Sequence, residues 1–158
     1  MILKIIKWIL VILCMVQIFM FSNDPADESD KKSNFIIVSI AEVLAGRSLS
    51  GVERQKKIDE YVVLVRKGAH FFIYFVLGFL VLSLFKEYKD LNTKIILISF
   101  LLSILYACSD EIHQLFVPGR SGSIIDVGID SLGALFGTYF YYLIYLIRRK
   151  YEQEKTVC

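Results

Sequence analysis

The sequence predicts an all-α fold: an integral membrane bundle of four transmembrane helices, forming one domain across residues 1–158. Three observations carry this expectation. The chain is 56% hydrophobic with a mean hydropathy of +0.57, and it holds 12 Phe and 9 Tyr, a level that fits a membrane protein better than a soluble one. Its apolar residues are gathered into four runs separated by polar stretches. Finally, the polar residues that break the runs are concentrated in Asp110–Asp130, where four acids, a histidine, a glutamine and an arginine lie between two apolar segments.

The first helix is expected at residues 4–22. Lys4 and Lys7 open it, and the stretch from Trp8 to Phe21 is apolar except for Gln17. It exits through Phe21-Ser22-Asn23-Asp24 without a small-x-small cleavage pattern, and the residues before Cys14 are bulky rather than lipobox-like, so a membrane helix is favoured over a cleaved signal. A long outer connection, 23–61, follows. Within it, Ser22–Asp30 is acidic and contains Pro25, and reads as a loop; Phe35–Leu44 has helical apolar spacing and reads as a short interfacial helix ended by Gly46; Val52–Asp59 alternates in charge like a solvated helix face.

The second helix is expected at 62–85, which brings Arg66 and Lys67 to membrane depth. For the third, the strictly apolar run Ile95–Cys108 falls short of the roughly 20 residues needed to cross hydrocarbon. It reaches that length, as 94–116, only by including Asp110, Glu111, His113 and Gln114, and Pro118 then stops it. The fourth, 124–147, begins with Asp126 and Asp130.

Lys4 and Lys7, then Lys86, Lys89 and Lys94, then Arg148, Arg149 and Lys150 all fall on one side of a four-span bundle. The positive-inside rule makes that side cytoplasmic, with both termini, and turns the Asp110–Asp130 cluster outward. Arg66 and Lys67 at the end of the long connection argue the other way. The net charge of +2, without a Lys/Arg block, argues against nucleic-acid partners. Cys14 and Cys108 lie in apolar runs and Cys158 is last in the sequence, so no disulfide framework is expected. Walker, GxSxG and dinucleotide signatures are absent, and no cofactor is expected.

Helical spacing sorts the polar residues into stripes. Arg66, His70 and Tyr74 recur at i, i+4 and i+8; Asp110, His113 and Gln114 share a face, with Glu111 turned away by about 100°; Asp126 and Asp130 share another. Ionisable groups at membrane depth are costly unless paired or facing a wet cavity, so the stripes are expected to converge, with Arg66, Lys67 and His70 facing Asp110, Asp126 and Asp130. Arg120, in the flexible turn 119–123, would cover them. His113 reads equally as an interfacial histidine. His70, Asp110 and His113 are of metal-ligating types, but no metal-spaced motif such as HExxH is present and no metal is expected. Gly68, Gly78, Gly128, Gly133 and Gly137 are expected to permit close helix approach, Gly133 and Gly137 at the small-xxx-small spacing. One pair would fix a bundle; basic, acidic, imidazole, amide and phenol groups in one layer favour a pocket over a purely structural salt-bridge network.

Three segments together, Arg66-Lys67-x-x-His70-x-x-x-Tyr74-x-x-Leu77-Gly78, Ser109-Asp110-Glu111-x-x-Gln114-x-Phe116-x-Pro118-Gly119-Arg120 and Asp126-x-x-x-Asp130-x-x-Gly133, resemble the VanZ-like family over nearly the whole chain. The Phe21-Ser22 exit is similar too. One departure is Ile73, where many members carry Glu before the tyrosine. The resemblance implies a Gram-positive envelope protein; the family's namesake is an accessory protein of glycopeptide-resistance clusters, associated with low-level teicoplanin resistance. The expected ligand-binding set is Arg66, Lys67, His70, Tyr74, Asp110, Glu111, Gln114, Arg120, Asp126 and Asp130. Arg66, Lys67 and Arg120 would meet phosphate, and Asp110, Gln114, Asp126 and Asp130 sugar hydroxyls, of a membrane lipid, a cell-wall precursor or a glycopeptide antibiotic. In the alternative, a membrane enzyme acting on an envelope lipid or glycan, His70 is a general acid or base tuned by Asp110 or Asp126.

Overall fold

Polar stretches become helix in this chain wherever capping groups or charge at a helix end support it. The computed structural model describes residues 1–157 and holds, among them, α1 (Ile2–Asn23), α2 (Ala26–Ala45), α3 (Gly51–Lys86), α4 (Thr93–Gln114) and α5 (Ile124–Val157). Cys158 lies outside the described residues. Helices α1, α3, α4 and α5 are long and apolar enough to cross a membrane. Large apolar side chains on them, among them Trp8, Leu13, Phe72, Leu105 and Phe136, point outward. Such a surface would aggregate in water and suits contact with lipid.

The acidic stretch read as loop is instead the first turn of α2, a correction with a clear cause. Pro25 serves as N-cap, and Asp27 and Glu28 follow in the first turn, where a helix N-terminus favours negative charge. Gly46, with φ of 64°, ends α2 in the left-handed conformation that glycine adopts cheaply. The alternating charges of 52–59 belong to the start of α3, a single helix of 36 residues opened by a capping box: Ser50 accepts from the Glu53 N–H while the Glu53 carboxylate accepts from the Ser50 N–H. Asn92 caps α4 in similar fashion through the Ile95 N–H. Helix α4 stops at Gln114, earlier than the expected 116, and a turn through Pro118 and Gly119 (φ 75°) leads toward α5.

Helix α3 packs on all four others and most extensively on α5. That seam is built by small residues: a Cβ added at Gly133 or Gly137 would overlap the carbonyl of Phe71 or Phe75, and one at Gly78 would overlap the carbonyl of Ala134. Gly68 and Gly128 have nothing near their missing Cβ, so they do not share the close-approach role expected of them. Tyr74, Leu77, Val81 and Leu84 of α3 form the core with Val11 and Ile18 of α1 and Ala107 of α4. At one end of the bundle, Lys7 bonds the Glu87 carboxylate (2.6 Å), Trp8 Nε1 donates to the Tyr88 hydroxyl (2.9 Å) and Lys4 lies over the Tyr88 ring. This belt of lysine and aromatic rings is the pattern of a membrane–water boundary. The polar cluster lies at the other end.

Candidate functional site

The C-terminal end of α4, the start of α2, the first turns of α5 and the middle of α3 meet around a polar cleft of about 100 Å³. Arg66, Lys67 and His70 line it from α3, Glu111 and Gln114 from α4, Arg120 from the turn, and Asp126 and Asp130 from α5. Lys67 Nζ bonds Asp126 Oδ1 at 2.6 Å across the α3–α5 seam. Arg66 reaches Asp30 of α2 at a stretched 3.4 Å. Below them, His70 Nδ1 stands 3.7 Å from Asp130 Oδ1, beyond hydrogen-bond reach. Asp130 is completely buried (0% exposed), and neither of its oxygens has a partner.

A second set of bonds holds the cleft's wall. Asp110 is buried where α4 meets α1, and its Oδ2 accepts from Ser22 Oγ (2.8 Å) and Gln114 Nε2 (3.3 Å). Arg120 spans the turn and the end of α1: Nε donates to the Asp24 carbonyl (2.8 Å), one terminal nitrogen to the Phe21 carbonyl (2.9 Å) and the other to Gln114 Oε1 (3.3 Å). The Ala26 N–H donates to the Pro118 carbonyl at 3.3 Å, seating α2 on the same turn. Glu111 Oε1 accepts from the Ser123 N–H at 2.5 Å, fixing the start of α5, while its Oε2 is buried without a partner. A neighbouring hollow of about 110 Å³, between α1, α2 and α3, shares Arg66, His70 and Arg120 with the cleft.

A family model described as VanZ/LLP1 matches residues 7–145, which takes in α3 and α4 whole, most of α1 and α5, and every residue of the cleft. The chain belongs to the VanZ/LLP1 family. No curated protein matches it, and no solved structure does.

For this VanZ/LLP1 chain, the expected site residues divide into two groups. Arg66, Lys67, His70, Glu111, Gln114, Arg120, Asp126 and Asp130 line the cleft. Asp110 and Tyr74 lie behind it: Tyr74 is fully buried in the core and its hydroxyl has no partner. Arg66 faces Asp30 rather than an acid of α4 or α5, because the helical start of α2 carries Asp30 up to it. His113 turns from the cleft to stack on Phe19 of α1, with ring centroids 4.6 Å apart.

Glu111 corrects the helical-face reading. It is as buried as Asp110 and Gln114, because α4 is covered by α1 on one side and by α5 on the other. Sequence reasoning did not select Ser22, Asp30 or the carbonyls of Phe21 and Asp24. A serine buried at the end of an apolar helix was the one available signal; backbone acceptors leave none. Ile73, the departure from the family pattern, lines the smaller hollow and adds no acid there.

Proposed function

We propose that this VanZ/LLP1 protein binds the polar head of an amphiphilic envelope molecule in the cleft, at the outer surface of the bacterial plasma membrane, with both termini in the cytoplasm. The observation that carries the reading is the cleft itself: nine charged or polar side chains face a small cavity at the end of a bundle with a lipid-compatible exterior. Its size restricts the occupant. About 100 Å³ lies below the ~300 Å³ of an ordinary small-molecule pocket, so the cleft takes a phosphate or a few sugar hydroxyls and not a whole glycopeptide. An apolar groove of about 550 Å³ between α2 and α3, lined by Ile37, Ile40, Leu44 and Val65, begins one residue from Arg66 and offers a place for an acyl chain.

Arg66 and Lys67 are the phosphate contacts in this reading, since each needs only to exchange a partly exposed carboxylate partner. Arg120 acts by positioning the wall. Any teicoplanin resistance then arises through an envelope molecule that the cleft holds, rather than by enclosing the antibiotic. Native mass spectrometry of the full chain, with envelope lipids, lipid-linked cell-wall precursors and teicoplanin offered separately, tests the reading. Wild type should retain a phosphorylated lipid that the Arg66→Ala/Lys67→Ala variant loses, and expression of the chain should raise teicoplanin tolerance only when those residues are intact. Equal lipid retention by the two proteins overturns it.

One observation favours a second reading, a membrane enzyme: His70 sits at the floor of the cleft beside an unpartnered carboxylate, the arrangement of a general base with an orienting acid. It requires a His70-dependent product from labelled envelope lipids, and absence of turnover across a broad panel excludes it.

A further inference from the structure

We propose that His70, Asp110 and Asp130 bind a divalent metal ion, of the Zn²⁺ or Mn²⁺ kind, at the floor of the cleft. The three residues come from α3, α4 and α5, and each offers one ligand atom, all within 4.8 Å of one another. An imidazole nitrogen with two carboxylate oxygens suits a transition-metal ion better than Mg²⁺ or Ca²⁺, which take oxygen ligands. Ligands about 2.1 Å from a tetrahedral zinc stand about 3.4 Å apart, so modest side-chain rotations draw these donors onto an ion.

The decisive observation is the state of the donors. Asp130 is wholly buried and neither of its oxygens has a hydrogen-bond partner, and His70 Nδ1, 3.7 Å from Asp130 Oδ1, has none either. Nearby cations do not meet this need, since Lys67 is bonded to Asp126 and Arg66 to Asp30. Arg120 is directed to the carbonyls of Phe21 and Asp24 and to Gln114. Two buried carboxylates with no cation bonded between them are costly at this depth, and a doubly charged ion offsets both.

The surroundings fit as well. Asp110 Oδ2 is oriented by Ser22 and Gln114, the kind of outer hydrogen bonds that fix a ligating carboxylate. The orphaned Tyr74 hydroxyl lies one helical turn from His70 on the same stripe of α3. His70 and Asp130 open onto the cleft, leaving a coordination position for water or for an oxygen of a bound head group. The metal site stands whichever amphiphile the cleft takes.

The test uses the full chain in detergent, stripped with a chelator, dialysed against Zn²⁺ or Mn²⁺ and analysed for metal by mass spectrometry. Wild type should hold about one ion per chain, and its thermal midpoint should rise by a few degrees at saturating metal. Asp130→Asn and His70→Gln should lose the ion; Ser22→Ala should weaken binding by about 10-fold through Asp110; Asp126→Asn, outside the donor set, should keep it. Co²⁺ should report the same pattern through its visible spectrum. The proposal is overturned if wild type holds no more metal than a chelator-treated control, or if Asp130→Asn retains the ion. Should Asp130→Asn fail to insert, His70→Gln and the wild-type thermal shift decide the matter alone.

Discussion

Replacing Arg120 separates a residue that holds the cleft together from one that holds a ligand. Its guanidinium makes three hydrogen bonds, to the carbonyls of Asp24 and Phe21 and to Gln114 Oε1. A hydrogen bond to a charged donor contributes about 1.5–3 kcal/mol. The group is only partly buried and water replaces some of what is lost, so Arg120→Ala should cost about 2 kcal/mol rather than the sum of three full bonds. Arg120→Lys is the informative variant, because one ammonium on a flexible stem cannot span three acceptors set in a fork. Lysine should therefore recover less than half of the loss. Unfolding in mixed micelles, followed by circular dichroism, gives the free energies, and lipid retention is measured on the folded fraction. A lysine variant as stable as wild type, or one that is stable but has lost the lipid, refutes the positioning role and returns Arg120 to the phosphate contacts.

Other consequences can be checked alongside. Gly137→Ala places a methyl group against the Phe75 carbonyl and should destabilise by about 2–3 kcal/mol, whereas Gly68→Ala, in open space, should be neutral or stabilising by up to about 1 kcal/mol; both are read from the same unfolding curves. Lys67→Asp should weaken the fold by about 1 kcal/mol, since the pair is about one-third exposed, and adding Asp126→Lys should restore it; if the pair only holds helices together, lipid retention returns with the fold. Glu53, held by Arg47 and the Ser50 capping groups, has its carboxyl lowered from 4.5 to about 2. The stability it lends the start of α3 is thus present above 4.5 and is lost as pH falls through about 2. Carboxyl resonances should show that midpoint and show it moving up in Arg47→Ala.

The four spans and the location of the polar layer were legible because hydrocarbon leaves a chain few options: length and hydropathy decide which segments cross, and ionisable residues inside them must gather. The shortness of Ile95–Cys108 was the most useful signal, since it forced Asp110, Glu111 and Gln114 into α4, where they are found. What sequence missed follows from tertiary covering. Counting faces on a lone helix set Glu111 apart, but α4 is buried on two sides. Reading Ser22–Asp30 as loop removed Asp30 from the site, although Asp27 and Glu28 are well placed to open a helix. His70, Asp110 and Asp130, the donors proposed for a metal, come one from each of three helices, a juxtaposition that no local spacing announces. The partners of Arg120 include backbone carbonyls, and every residue has one.

The glycine seam has a bearing on the cleft beyond holding two helices together. Phe71 and Phe75 rest their carbonyls where Gly133 and Gly137 lack side chains, and these contacts begin immediately after His70 and three residues after Asp130. The two residues therefore ride on a pair of main chains locked in register, like teeth on two bars bolted side by side. With the main chains held, their 3.7 Å separation is adjusted by side-chain rotation alone. Asp110 arrives on α4, a separate bar whose tie to α1 runs through Ser22, Tyr106 and Arg120. His70 and Asp130 are thus placed by direct main-chain contact, and Asp110 is oriented by hydrogen bonds from Ser22 and Gln114.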